Sequence, residues 1–181
     1  MTTVAPRGES IRELVVSRMR DIPDFPQPGV LFKDVSPLLA DGSAFAALVD
    51  DIAERHAGHV DVVVGIEARG FILGAAVAYR LGLGFVPVRK AGKLPAATHR
   101  VEYTLEYGAA VLEIHQDAFS PGARALVMDD VLATGGTAAA TCELVERAGA
   151  VVAAVEIVLE LSFLHGRTRL DGRAVSSIVT V

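Results

Sequence analysis

The chain contains little cysteine and histidine, and it has no long uninterrupted apolar run. It has one cysteine, Cys142, among 181 residues, which excludes an internal disulfide and suits a reducing cytoplasm. Its five histidines lack metal-ligand spacing, and its apolar runs stop well short of a transmembrane length. The first twenty residues are polar, without the apolar segment of a signal peptide. These absences predict a cytoplasmic protein that does not enter a membrane.

Positive charge is also scarce. The chain has 17 lysines and arginines against 22 acidic residues, a net charge of −5, which argues against nucleic acid as a partner. Its only lysines are Lys33, Lys90 and Lys93, and the last two lie near Arg89 and Arg100. Because the overall field is negative, such a local cluster predicts a site for a polyanionic ligand.

Apolar patterning predicts alternating helices and strands. Helices are expected near residues 11–19, 43–56, 69–81 and 134–148, and strands near 61–66, 84–88, 110–114, 124–128, 151–161 and 175–181. Residues 91–108 carry glycine, proline and several charges, and predict a long mobile loop whose ends tend toward a β-hairpin. The alternation predicts a single α/β domain with a mostly parallel twisted sheet flanked by helices on both faces.

The most informative segment is residues 126–138. An apolar run leads to Asp129 and Asp130, and a glycine-containing turn then opens an alanine-rich helix. The turn and helix N-terminus favour an anion, while the carboxylates can accept hydrogen bonds from sugar hydroxyls or help hold a divalent cation. Side chains alternate between the two faces of a strand, so adjacent acids within a strand would point to opposite faces. Both acids can serve one ligand only if the strand ends before them, and we therefore expect it to end at Met128. The alternative is a pair of strand-end acids that face solvent. Neither a nucleotide-binding P-loop nor a dinucleotide fingerprint is present.

This segment resembles the phosphoribosyl pyrophosphate motif of the type I phosphoribosyltransferases. Residues 25–34, 67–71, 89–95 and 103–108 narrow the resemblance to members that act on adenine, and the likeness spans about residues 10–170. It implies a type I phosphoribosyltransferase fold with a flexible start (1–10), a small N-terminal base-binding hood (11–34) and a mobile catalytic hairpin loop (91–108).

The resemblance also implies a reaction. Phosphoribosyl pyrophosphate and adenine would give AMP and pyrophosphate in purine salvage, with Mg²⁺ carried by the substrate rather than by protein ligands. Relatives are usually homodimers, in which Arg89 would reach a neighbouring subunit's site. The family's loop at the positions of Glu67 and Ala68 often contains a cis peptide bond, which is therefore expected here.

Residue roles follow from the same resemblance. Ribose 5-phosphate would be bound by Asp129, Asp130, Ala133, Thr134, Gly135, Gly136 and Thr137. Pyrophosphate would be bound by Arg69, Arg89, Lys90 and Lys93. Adenine would be read by Leu31, Phe32 and Lys33, partly through backbone groups. Glu106 would manage a proton on the purine, and Tyr107 would help close the loop.

Each assignment has a plainer alternative. Arg69 suits a helix-start arginine with a surface partner, and composition alone favours a solvated Glu106 on a mobile hairpin. The phosphoribosyl motif is shared with enzymes for hypoxanthine, guanine, xanthine or orotate, and with non-catalytic regulators that sense phosphoribosyl pyrophosphate. Those regulators carry an added DNA-binding region, for which the roughly ten residues before the first predicted helix are too few. Residues 25–34 and 105–107 favour adenine.

Overall fold

The computed structural model describes residues 10–25, 27–104 and 109–181, and the chain divides into two compact units at Asp51 and Ile52. The first unit contains α1 (Ile11–Arg18), β1 (Arg20–Pro23), β2 (Leu31–Asp34), α2 (Ser36–Ala40) and most of α3 (Gly42–His56). A capping box, in which Ser10 and Glu13 exchange hydrogen bonds, begins α1. Strands β1 and β2 pair antiparallel, from Arg20 opposite Asp34 to Pro23 opposite Leu31. No described helix is both long and apolar enough to span a bilayer.

The second unit is built on one seven-stranded sheet. Its elements are β3 (Val62–Ile66), α4 (Arg69–Leu81), β4 (Gly84–Lys90), β5 (Thr98–Thr104), β6 (Ala109–His115), β7 (Arg124–Leu132), α5 (Gly136–Arg147), β8 (Val151–Glu160) and β9 (Val175–Thr180). The strand order is β5-β6-β4-β3-β7-β8-β9, and β4, β3, β7, β8 and β9 run parallel. The hairpin β5-β6 adds antiparallel to the β4 edge. The predicted α/β class with a mostly parallel sheet is confirmed.

Helices cover both faces of this sheet. Val64, Val127 and Ile157 point from the strands into a buried cluster that also includes Leu144 of α5. Side chains alternate along a strand, so residue 65 faces the other way, and there α4 packs against β3 and β7. Burial of apolar side chains on both faces is what a parallel sheet with helical crossovers requires.

The strand β7 is longer than its sequence pattern predicts. It was expected to end at Met128, but it continues through Asp129 and Asp130 to Leu132. Its neighbour β3 pairs with it only as far as Gly65 opposite Met128, whereas β8 accompanies it to Leu132. The expected strand end is therefore wrong. The two acids project from an extended strand at the place where its pairing with β3 has already ended.

Candidate active site at the carboxyl ends of the strands

A cleft of about 460 Å³ opens where β3, β4 and β7 end, within the usual range for small-molecule sites. Three parts of the second unit contribute its lining: Glu67, Ala68 and Arg69 from the β3–α4 turn; Lys90, Tyr103, Ala110 and Leu112 from β4 and the hairpin; and Asp129, Asp130 and Thr137 from β7 and α5. Five of the residues predicted to bind substrate are thus gathered around one cleft. Carboxyl ends of parallel strands are where ligands bind in open α/β sheets.

Arg69 and the two aspartates form the centre of the cleft. The Nε of Arg69 donates to Oδ2 of Asp130. Asp130 is a buried residue, with only 6% of its surface exposed. The backbone N–H of Asp130 donates to Oδ1 of Asp129 at 2.9 Å. Burial, and then the negative charge of Asp130, raise the pKa of Asp129 well above its ordinary value. A ligand that donates hydrogen bonds or carries a cation would relieve this concentration of negative charge.

The β3–α4 turn brings backbone close to those acids. The Glu67–Ala68 peptide bond is cis, which confirms the expectation for this position. At the start of α4, a Cβ on Gly70 would stand 2.7 Å from the carbonyl oxygen of Met128 and 3.1 Å from Oδ1 of Asp129. Only glycine permits this approach, which sets the N-terminus of α4 beside the carboxylates.

Glu67 is a functional candidate that sequence reasoning missed. Its carboxylate accepts hydrogen bonds from Nε and Nη2 of Arg89 at 3.2 and 3.1 Å, and from the backbone N–H of Lys90 at 3.1 Å. The hydrogen bond from Arg89 lowers the pKa of Glu67 against the opposing effect of burial, and Lys93 adds to the lowering. Glu67 therefore holds the basic segment of β4 beside the cleft. Its signal in the sequence was only its place in the segment 67–71.

A smaller concavity of about 80 Å³ adjoins the cleft and shares Asp129 with it. Its lining includes all five residues predicted to hold the 5-phosphate: Ala133, Thr134, Gly135, Gly136 and Thr137. Helix α5 begins at Gly136, so the concavity lies at a helix N-terminus, where backbone N–H groups and the helix dipole favour an anion.

The remaining predicted residues lie elsewhere or outside the described chain. Arg89 and Lys93 are not part of the cleft lining, although Arg89 donates to the carbonyl oxygen of Lys93 at 3.2 Å. Glu106 and Tyr107 fall in the segment 105–108, which is outside the described residues.

The predicted base-reading residues Leu31, Phe32 and Lys33 form part of β2 in the first unit. There the ring of Phe32 meets that of Phe25 edge to face at 5.2 Å, and Lys33 pairs with Asp21 at 2.7 Å. The side chain of Leu31 is exposed.

Comparison with known proteins agrees with this geometry. Residues 38–175 match the family model described as phosphoribosyl transferase domain. Over 183 residues the chain is 58% identical to adenine phosphoribosyltransferase of Salinispora tropica, covering 99% of this chain and 97% of that protein. The chain belongs to the adenine phosphoribosyltransferase family. A Streptomyces coelicolor adenine phosphoribosyltransferase is likewise 58% identical, over 94% of this chain and 97% of its own length.

Solved structures of adenine phosphoribosyltransferases share the fold. The enzyme from Thermoanaerobacter pseudethanolicus superposes with a TM-score of 0.90 at 48% identity, covering 94% of this chain and 99% of that one. The Saccharomyces cerevisiae enzyme, solved with an imino-altritol bisphosphate and adenine, gives 0.90 at 37% identity over 93% and 98%. The type I phosphoribosyltransferase fold expected from the sequence is therefore confirmed.

Proposed function

We propose that this member of the adenine phosphoribosyltransferase family transfers the phosphoribosyl group of phosphoribosyl pyrophosphate to adenine, releasing pyrophosphate and forming AMP. The observation that carries the proposal is the shared border of the two concavities. Asp129 belongs to both the polar cleft and the anion-favouring turn 133–137. A ribose placed on the acids would put its 5-phosphate in that turn and its pyrophosphate near Arg69 and Lys90.

Ribose recognition is proposed for the paired acids. Carboxylates accept hydrogen bonds from vicinal hydroxyls, and Asp130 is already oriented by Arg69. The amides of residues 133–137 and the hydroxyls of Thr134 and Thr137 would surround the 5-phosphate. Together these contacts would hold the reacting ring carbon in one position, which is a major source of catalysis in bimolecular transfer.

Pyrophosphate departure is proposed to depend on the cations of the cleft. When the bond to pyrophosphate breaks, positive charge develops on the ribose ring and negative charge on the leaving group. Arg69 and Lys90 line the cleft and can offset the negative charge, while Arg89 and Lys93 extend the basic surface next to it.

Magnesium is proposed to enter as part of the substrate. The acidic residues Asp129 and Asp130 line the cleft, which suits a cation that arrives with its ligands on substrate phosphates and water rather than on protein side chains. When bound, the ion would offset charge on the pyrophosphate.

Adenine recognition and proton transfer remain assigned by family resemblance. Backbone groups of Leu31 and Lys33 are proposed to read the 6-amino purine edge, with Phe32 against the ring. Glu106 is proposed to manage the proton on the imidazole side, and Tyr107 to help close the loop over the reactants and exclude water.

We also propose a homodimer that works in the cytoplasm. The outer side of α4 presents an apolar stripe at helical spacing, with Ile72 47% and Tyr79 89% exposed. Exposed apolar stripes of this kind are typical of protein interfaces. A second copy of the chain is the partner proposed, because relatives of this family are usually homodimers and α4 begins at the cleft. The cytoplasmic setting rests on the single buried cysteine.

One assay tests the proposed reaction. The protein is incubated with phosphoribosyl pyrophosphate and Mg²⁺ and with adenine, hypoxanthine, guanine, xanthine or orotate in separate reactions, and pyrophosphate release is followed. Release with adenine alone is expected. Release with hypoxanthine but not adenine would overturn the substrate, and binding of phosphoribosyl pyrophosphate without release in any reaction would favour a sensor.

A further inference from the structure

A buried carboxylate lies inside the most basic segment of the chain. Glu113 of β6 is 0% exposed and stands directly opposite Arg89 of β4 on one side and Arg100 of β5 on the other. These arginines and Lys93 belong to the basic cluster that is predicted from the sequence to bind a polyanion. A negative charge at its centre opposes anion binding, so it needs a structural reason.

The hydrogen bonds of Glu113 give that reason. Its Oε1 accepts the backbone N–H groups of both Lys93 and Leu94 at 3.0 Å, and its Oε2 lies 3.3 Å from Nε of Arg100. Burial by itself would raise the pKa of Glu113, but the backbone N–H groups of Leu94, Gly92 and Lys93 hold it below its ordinary value. The carboxylate is therefore charged at neutral pH and grips successive amides of the turn after β4.

This turn connects to the cleft through a second set of contacts. The carbonyl oxygen of Lys93 accepts from Nη1 of Arg89, and Arg89 makes its two further hydrogen bonds to Glu67, which lines the cleft. A chain of polar contacts thus runs from Glu113 through Lys93 and Arg89 to Glu67. Displacing the turn at one end would move the basic groups at the other.

We infer that Glu113 is a positioning residue for pyrophosphate: it fixes the turn 92–94, and through that turn the orientation of Lys93 and Arg89. The inference rests on the proposed function, because it assigns those two cations to the pyrophosphate end of the substrate. Glu113 itself does not line the cleft. Its action is confined to the end of the ligand that AMP lacks.

Comparing the binding of phosphoribosyl pyrophosphate with the binding of AMP distinguishes this role from general support of the fold. Phosphoribosyl pyrophosphate and AMP share the ribose 5-phosphate, but only the first carries a pyrophosphate. In Glu113→Gln, the dissociation constant for phosphoribosyl pyrophosphate with Mg²⁺ is expected to rise about tenfold, equivalent to about 1.4 kcal/mol. The dissociation constant for AMP should stay within about twofold, or about 0.4 kcal/mol. Both are measured by titration calorimetry on the folded protein.

Glu156→Gln is the matched control. Glu156 is also 0% exposed, lies on a strand and accepts from arginine, with Arg55 at 2.6 and 3.0 Å, but it does not line the cleft. Both variants lose a buried carboxylate, so both should melt at a lower temperature than the parent. Only Glu113→Gln should discriminate between the two ligands. If Glu113→Gln does not fold, Glu113→Asp replaces it, because it keeps the charge and shortens the reach by one methylene group.

Two results would overturn the inference. Equal weakening of both ligands would make Glu113 a general support, and unchanged affinity for phosphoribosyl pyrophosphate would remove any role. Failure of the proposed function is visible separately, because it shows as absent pyrophosphate release by the parent protein with adenine. A parent that binds phosphoribosyl pyrophosphate without turnover would still allow the comparison of variants.

Discussion

The backbone at Gly135 is in close contact with the backbone at Gly166. A Cβ on Gly135 would stand 2.2 Å from the carbonyl oxygen of Gly166, and a Cβ on Gly166 would stand 2.1 Å from the carbonyl oxygen of Ala133. Real Cβ atoms do not approach oxygen this closely, so neither position accepts a side chain without movement. The short 3₁₀ segment Gly166–Leu170 is thus the wall behind the proposed phosphate turn. Arg167 holds that wall in place through its ion pair with Glu160.

Gly166→Ala is expected to push the turn 133–137 away from the position that binds the 5-phosphate. Because misplacement by about 1 Å can reduce activity roughly 10²-fold, kcat/KM for phosphoribosyl pyrophosphate should fall by about that factor. AMP binding should weaken as well, since AMP carries the same phosphate. Gly84→Ala is the control, because a Cβ there meets nothing within 4 Å. Unchanged AMP affinity in Gly166→Ala would contradict this account.

Asp129→Asn is expected to stabilise the fold at neutral pH. The pKa of Asp129 is raised by burial and by Asp130, so folding penalises its ionised form. That penalty is absent where both folded and unfolded states hold the proton, and it appears as the pH rises above about 4. The variant's gain in free energy of unfolding should therefore grow with pH from there until the folded-state pKa is passed. Urea unfolding at several pH values measures it.

Asp117→Asn serves as the reference for that series, because Asp117 is exposed. A surface substitution away from partners changes the free energy of unfolding by at most about 0.5 kcal/mol.

The activity of Asp129→Asn should fall although its stability rises. Loss of the carboxylate removes an acceptor for ribose hydroxyls, so Asp129→Asn should bind phosphoribosyl pyrophosphate less tightly. A variant that is less stable than the parent at high pH would argue against the raised pKa.

Glu67→Gln is expected to loosen the basic segment of β4. The charge-assisted bonds from Arg89 are worth about 1.5–3 kcal/mol in partly buried settings, so kcat/KM for phosphoribosyl pyrophosphate should fall about 10- to 100-fold. Steady-state kinetics with adenine held saturating measures this. Glu146→Gln, which removes an exposed partner of Arg173, should leave kinetics unchanged. Equal effects of the two substitutions would mean that Glu67 has no special part in the site.

Glu106→Leu tests the proposed proton transfer. A positioned acid or base contributes about 10²–10⁴-fold, and kcat with adenine should fall within that range. Glu102→Leu, at an exposed position on β5, is the control and should keep its activity. Near-normal turnover by Glu106→Leu would remove that residue from the chemistry.

Tyr79→Asp tests the proposed dimer. A charge on the α4 stripe would have to be desolvated in an apolar interface, so the variant should sediment as a monomer where the parent sediments as a dimer. Val151→Asp introduces the same charge at another exposed apolar position, and it should not alter sedimentation. A parent protein that sediments as a monomer would reject the proposal directly.

Helices and buried strands could be predicted from the sequence because their signals are local. Residues 69–81 were expected to form a helix that stops at Gly82, and α4 spans Arg69–Leu81 with Gly82 left-handed at its end. Apolar periodicity and one glycine were sufficient there. The end of β7 was not predictable in the same way, because its extension to Leu132 depends on pairing with β8, whose partner residues lie 27 or 28 positions further along the chain.

The residues of the candidate site likewise fall into those that local sequence predicts and those that only the fold reveals. Asp129, Asp130 and the turn that follows could be predicted because they are adjacent in the sequence. Arg69 and Lys90 could be predicted because they are charged and follow the ends of predicted strands. Glu67 and Glu113 could not be found, since each acts on residues about 20 positions away that only the sheet brings near. No periodic pattern marked the segment around Gly166 either.

The amino-acid order by itself determined the longer helices and the buried strands of the main sheet, whereas the short elements β1, β2 and α2 were not predicted. It also concentrated the lysines where a polyanion is expected to bind. Tertiary structure alone decided which carboxylates hold those cations, how far β7 runs past its neighbour, and what stands behind the phosphate turn. Hydrophobic patterns within a short window of sequence indicate only the local preference for helix or strand. Pairing of distant strands and contact between backbones depend on packing, which no local window contains.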